Sequence, residues 1–96
     1  MVSLSDIQAN RGRIIDIAEK YGAHNVRIFG SVLRGENTAS SDIDFLVNID
    51  DNRSLLDHIA LMRSLEKMLG CKIDVVNEDV LDPLIKDRVL MECKAI

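Results

Sequence analysis

Basic residues are in short supply in this sequence: 12 Lys and Arg face 16 Asp and Glu, for a formal net charge of -4. A protein that grips nucleic acid backbones uses a surplus of Lys and Arg to displace counterions. A long polynucleotide substrate is therefore disfavoured, and no direct nucleic acid binding is expected. Long apolar runs are missing too. None approaches the roughly 18 residues that span a bilayer, and the amino terminus lacks the charged and then apolar pattern of a secretory signal. Both absences place the protein in the cytoplasm, away from membranes. Cysteine is limited to Cys71 and Cys93, without CxxC spacing or neighbouring His, so neither a zinc site nor a redox pair is indicated and both read as reduced, mostly buried thiols. His24 and His58 are equally isolated and read as a loop and a helix-face histidine.

What is present suits a small folded protein. The 96 residues are 47% hydrophobic and 29% charged, the composition of one globular domain over 1–96 with a single core. From Ser5 to Tyr21 the apolar residues Ile7, Ile14, Ile15, Ile17, Ala18 and Tyr21 recur at helical spacing, and Gly22 offers a left-handed stop. Val26 to Phe29 reads as a strand broken at Gly30, with a short helical turn over Ser31 to Arg34 before Gly35. The polar stretch Glu36 to Ser41 is a loop. Asp42 to Ile49 returns to a strand with Ile43, Phe45 and Val47 on one face and Asp42 and Asp44 on the other. A helix follows from near Ser54 to Gly70, with Leu55, Ile59, Met62 and Leu69 in its apolar stripe. Lys72 to Val76 is a third strand, with Asp74 facing away from Ile73 and Val75. Asp82-Pro83 then looks like an N-cap followed by proline at the first helical position, starting a last helix toward Glu92.

The strand aspartates carry the chemical signal. Acids at i and i+2 on a strand lie about 6 to 7 Å apart at a rise of about 3.3 Å per residue, close enough to converge on one cation. Bare, they repel by about 2 kcal/mol at an effective dielectric of about 20; a divalent ion reverses that sign. Magnesium suits such a site because it takes a few carboxylates and fills its other positions with water and substrate phosphate oxygens. Asp-X-Asp alone is commonplace on a solvated strand face. Here, however, Asp44 interrupts Ile43 and Phe45 as Asp74 interrupts Ile73 and Val75, and acid inside an apolar strand needs compensation. Gly30-Ser31, between strand and helix, presents free backbone N–H groups and a hydroxyl to a phosphate. Arg34, one turn on, reads either as a cation for a triphosphate or as an exposed charge paired with Glu36.

Gly30-Ser31, ten intervening residues and Asp42-Ile43-Asp44 together resemble the GS-X10-DXD pattern of the DNA polymerase β-like nucleotidyltransferase superfamily. The stretches VRIFGSVLRGENTASSDIDFLVNID and KIDVVNEDVLDPLIKDRVLMECKAI look like the minimal nucleotidyltransferases of the MNT or MntA type, so the resemblance covers nearly the whole chain. It implies an α/β fold: a small mixed sheet with helices packed on one face, like the polymerase β palm. It implies Asp42, Asp44 and Asp74 as metal ligands and catalytic carboxylates for two Mg2+ ions, and Gly30 and Ser31 at the phosphates of ATP. It also implies an antitoxin that transfers AMP to a tyrosine hydroxyl of an adjacently encoded HEPN-domain toxin, in a complex with that toxin. Two further readings stay open: a non-catalytic antitoxin that occludes its toxin, and one subunit of a small-molecule nucleotidyltransferase. The chain has no room for fingers, thumb or substrate-binding domains, so the acceptor is expected on another protein.

Overall fold

The computed structural model describes residues 2–96. The amino-terminal helical pattern is cut in two at Asn10, giving α1 (Leu4–Ala9) and α2 (Arg11–Lys20) in place of one helix from Ser5 to Tyr21. The Asn10 side-chain amide donates to the Asp6 carbonyl at 2.8 Å, local competition of the kind that makes asparagine a poor interior helix residue. Ser3 and Asp6 form a capping box at the start of α1. The break lets both Ile7 and Ile14 reach the core with no exposed surface.

The remaining elements are β1 (Ala23–Phe29), α3 (Ser31–Arg34), β2 (Ile43–Ile49), α4 (Leu55–Leu69), β3 (Ile73–Asn77), a single 3-10 turn at Glu78–Val80, α5 (Pro83–Glu92) and β4 (Lys94–Ala95). The strands form one mixed sheet in the order β3-β2-β1-β4. β1 is antiparallel to β2 and to β4, whereas β2 and β3 are parallel. β1 begins three residues before the expected Val26, and His24 lies on it rather than in a loop. A bulge between His24 and Arg27, with Asn25 at φ 54, interrupts the alternation from which the start was read. β4 was not expected at all, since two residues carry no readable period.

On one face, Ile43, Phe45 and Val47 of β2 and Ile73 and Val75 of β3 join Ile14 and Ala18 of α2 and Leu61 and Leu65 of α4 in the main core, as the strand parity predicted. A hydrogen bond of 2.7 Å from His58 Nε2 to the Val75 carbonyl ties α4 to β3, so the helix-face histidine has a structural partner. Asp82 caps α5 by accepting from the Leu84 N–H at 2.8 Å, with Pro83 at the first position. Among the described residues no helix is long and apolar enough to cross a membrane.

The expected helical layer is thus present in α2 and α4, and α5 adds cover on the other side. β4 runs parallel to β3, and the path from β3 back across the sheet to β4 reverses the direction taken from β2 to β3. Right-handed crossovers then put α4 and α5 on opposite faces. Leu46, pointing away from the main core, is fully buried, and Val89 of α5 is buried to 8% exposure. Arg27 is buried on the same face and its guanidinium is fully engaged. Nη1 pairs with Glu78, Nη2 donates to Asn48 Oδ1 at 3.0 Å, and Nε donates to the Asn25 carbonyl at 2.9 Å.

The Arg27 hydrogen bond holds the Glu78 carboxyl below its ordinary range, helped by the charges of Arg27 and of Lys86 on α5. A depressed carboxyl contributes stability that is complete above the ordinary glutamate range and fades as pH falls through the folded-state value. Glu78→Ala, which strands a buried guanidinium, is expected to cost about 1–3 kcal/mol near neutrality, read from urea unfolding. That difference should shrink as the medium is acidified; a constant difference down to acid pH would show that the carboxylate charge is not what matters.

Candidate active site

The turn after β1 brings the acids and the glycine together. Gly30 has φ 77 and ψ -153, a backbone region that only glycine adopts without strain. A Cβ placed there would lie 2.5 Å from Asp44 Oδ2, so the absence of a side chain makes room for that carboxylate. The cause is the β1–β2 register, which pairs Phe29 with Asp44. Gly30 is also the N-cap of α3, and the N–H groups of a first helical turn have no partners within the helix. The Gly30-Ser31 backbone, the half-buried Ser31 and the Asp44 carboxylate therefore share one corner of the sheet.

Asp44 is paired with Asp74 across the parallel β2–β3 ladder, which sets their backbones about 4.8 Å apart. Asp42 stands immediately before β2 rather than on it and is exposed, as is Asp74, whereas Asp44 is partly buried. The Asp44 carboxyl is pushed above its ordinary range, first by burial, then by the charges of Asp74 and Asp42, with Arg34 pulling the other way. The three acids expected from the sequence are therefore near enough to feel one another. Arg34 contributes a positive charge to this corner while its Nε pairs with Glu36 Oε2 at 3.1 Å, about half exposed, the ion pair expected as one of its two readings.

Among the described residues, no three His, Cys, Asp or Glu side chains already stand together as a cation cage. The donor set nevertheless fits magnesium, which asks for a few carboxylates plus exchangeable oxygens and not an all-protein cage. Cys71 and Cys93 are free and half-buried.

Sequence reasoning missed the hydroxyl cluster that holds the approach to Asp42. The Thr38 N–H donates to Ser41 Oγ at 2.9 Å, and the Thr38 hydroxyl lies 3.1 Å from those of Ser40 and Ser41. The available signal was Thr38-Ala39-Ser40-Ser41 directly before the acid, a composition that closes turns on its own backbone.

The profile of the family described as polymerase beta, nucleotidyltransferase matches residues 12–96. The chain belongs to this family. A Methanocaldococcus jannaschii protein named as a candidate protein adenylyltransferase is 41% identical over 87 residues, which cover 91% of this nucleotidyltransferase and 94% of the relative. Protein adenylyltransferase MntA of Thermococcus cleftensis is 38% identical over 77 residues, covering 80% of this chain and 78% of that one. Among solved structures, one described as a candidate minimal nucleotidyltransferase superposes with a TM-score of 0.89 at 39% identity, covering 99% of this chain and 97% of the other. A tri-AMPylated Shewanella oneidensis HEPN toxin in complex with MNT antitoxin matches with a TM-score of 0.69 at 21% identity, covering 92% of this chain and 69% of that one. At that identity the likeness is one of fold.

Gly30 and Gly35 provide an internal comparison. Both have positive φ, but a Cβ at Gly35 would meet nothing within 4 Å. Gly35→Ala should therefore cost only the backbone strain, about 1 kcal/mol, and Gly30→Ala about 1–3 kcal/mol. Urea unfolding of the two variants checks this; equal losses would mean that neither the Gly30 backbone nor the Asp44 contact resists a side chain there.

Proposed function

We propose that this nucleotidyltransferase transfers AMP from ATP to a hydroxyl, expected to be a tyrosine's, on a HEPN toxin encoded beside it, and thereby neutralises the toxin. The observation that carries the reading is the meeting of Asp42, Asp44 and Asp74 beside the Gly30-Ser31 turn. The names of the relatives with 41% and 38% identity support protein adenylylation as the reaction. The toxin complex that shares the fold supports the class of partner.

In this reading the 1–96 chain is one minimal nucleotidyltransferase domain working in the cytoplasm. The Gly30-Ser31 backbone and the Ser31 hydroxyl hold the triphosphate, and Arg34 exchanges Glu36 for a phosphate oxygen. Two Mg2+ ions held by Asp42, Asp44 and Asp74 would supply positive charge to the entering oxygen and to the leaving pyrophosphate. Asp74, exposed at the rim, orients the acceptor hydroxyl and takes up its proton. The hydroxyl oxygen forms a bond to the α-phosphorus as the bond to the bridging oxygen breaks, and pyrophosphate departs. The open site suits an acceptor carried on the surface of another protein.

The test is incubation with ATP labelled in its α-phosphate, Mg2+ and the adjacently encoded toxin, followed by mass spectrometry of the toxin. Label should appear on a toxin hydroxyl, and its absence across conditions would sink the proposal. Asp42→Asn combined with Asp44→Asn should lower transfer by on the order of a thousandfold, the equivalent of several kcal/mol of charge stabilisation, with circular dichroism unchanged. A double variant that still silences the toxin would move the reading to occlusion without catalysis.

A further inference from the structure

The outer face of α5 bears an apolar stripe that nothing in the fold covers. Leu84 is 91% exposed and Met91 88%, while Ile85 at 51% and Leu90 at 37% lie on its two flanks, about 100° or more to either side. Single exposed apolar residues are ordinary; Leu84 and Met91 are instead two large ones, both almost bare and two turns apart on one face. At about 100° per residue, Leu84, Arg88 and Met91 share one stripe with Asp87 at its border, while the buried Val89 faces the opposite side. Leu84, Asp87, Arg88, Met91 and Glu92 together line a shallow groove.

The arrangement of these residues specifies their occupant. Leu84 and Met91 are equidistant from the midpoint between Asp87 and Arg88, and so are Ile85 and Leu90. Asp87 and Arg88 flank that midpoint with opposite charges. Both are exposed, and neither makes an ion pair or side-chain hydrogen bond among the described residues. A two-fold interface requires that residue i meet j while j meets i. Two antiparallel copies of α5 crossing at the midpoint satisfy this: Leu84 packs on Met91 of the other copy, and Asp87 on its Arg88, each contact occurring twice. Leu55 and Leu56, also exposed, are adjacent on the first turn of α4 and have no such mirror arrangement.

We infer that the outer face of α5 is a homodimer interface, in which a second copy of this chain packs antiparallel across a two-fold axis between Asp87 and Arg88. The inference is independent of the proposed reaction. Two ten-residue helices are each about 15 Å long, which puts the buried area at the low end, below roughly 1,200 Å². The dimer is therefore expected to be reversible and dependent on concentration.

Sedimentation velocity on the full chain from about 10 to 500 µM, the range suited to weak association, should show a monomer–dimer equilibrium. Asp87→Arg places two arginines opposite two arginines, and Arg88→Asp two aspartates opposite two aspartates; each variant alone should be monomeric with an unchanged circular dichroism spectrum. Mixing the two variants should restore a dimer, because the four positive charges of one helix pair then become two complementary pairs across the axis. Monomer at every concentration for the natural sequence overturns the inference, as does a dimer indifferent to either substitution or a mixture that stays monomeric. Loss of toxin binding in Asp87→Arg, with the natural chain monomeric throughout, would assign the surface to the toxin instead and equally overturn it.

Discussion

The in-register parallel pairing of β2 with β3 sets Asp44 beside Asp74, and much of the molecule can be understood as the means of holding those like charges together. The pairing requires the crossover through α4, whose apolar stripe seals the main core, and the His58 bond to the Val75 carbonyl fixes that helix along the strand. The core is thus what opposes the repulsion. Buried apolar surface contributes roughly 25 cal/mol per Å², so a few well-buried leucines and isoleucines outweigh carboxylate repulsion of about 2 kcal/mol. Arg34 offsets that repulsion only in part, since burial and the two neighbouring acids still hold the Asp44 carboxyl above its ordinary range.

The second face of the sheet is electrostatically divided along its length. At one end Asp44 and Asp74 face outward with only Arg34 nearby as counter-charge. At the other, Arg27 is buried but fully matched by Glu78, Asn48 and the Asn25 carbonyl. The matched end serves as structure, because its partners are complete and it sits beneath the crossover of α5. The unmatched end leaves Asp74 exposed and Asp44 partly so. Gly30 marks the boundary condition at that end: the backbone needs a positive φ, and the Asp44 carboxylate occupies the volume that a side chain would take.

Much of this was legible before any coordinates. Parity alone put Ile43, Phe45 and Val47 opposite Asp44, and Ile73 and Val75 opposite Asp74, because a strand has a period of two whatever its neighbours do. Ser54, Gly70, Asp82 and Pro83 announced helix ends through local chemistry. The misreadings have local or long-range causes of their own. One helix became two because Asn10 bonds back to Asp6; β1 began early because a bulge at Asn25 hides its period; β4 is too short for any pattern.

By itself, therefore, the sequence determined what depends on neighbours along the chain: the spacing of Gly30-Ser31 from Asp42 and Asp44, the faces on which the acids lie, and most helix boundaries. Only the tertiary structure decided what depends on contact across it. The β1–β2 register brought Asp44 against Gly30, and the β2–β3 register brought Asp74, thirty residues later, beside Asp44. The return of the chain over the far face matched Arg27 with Glu78 and turned Leu84 and Met91 outward. Periodicity is a property of one strand or helix, whereas register and crossover are chosen by the packing of all of them at once.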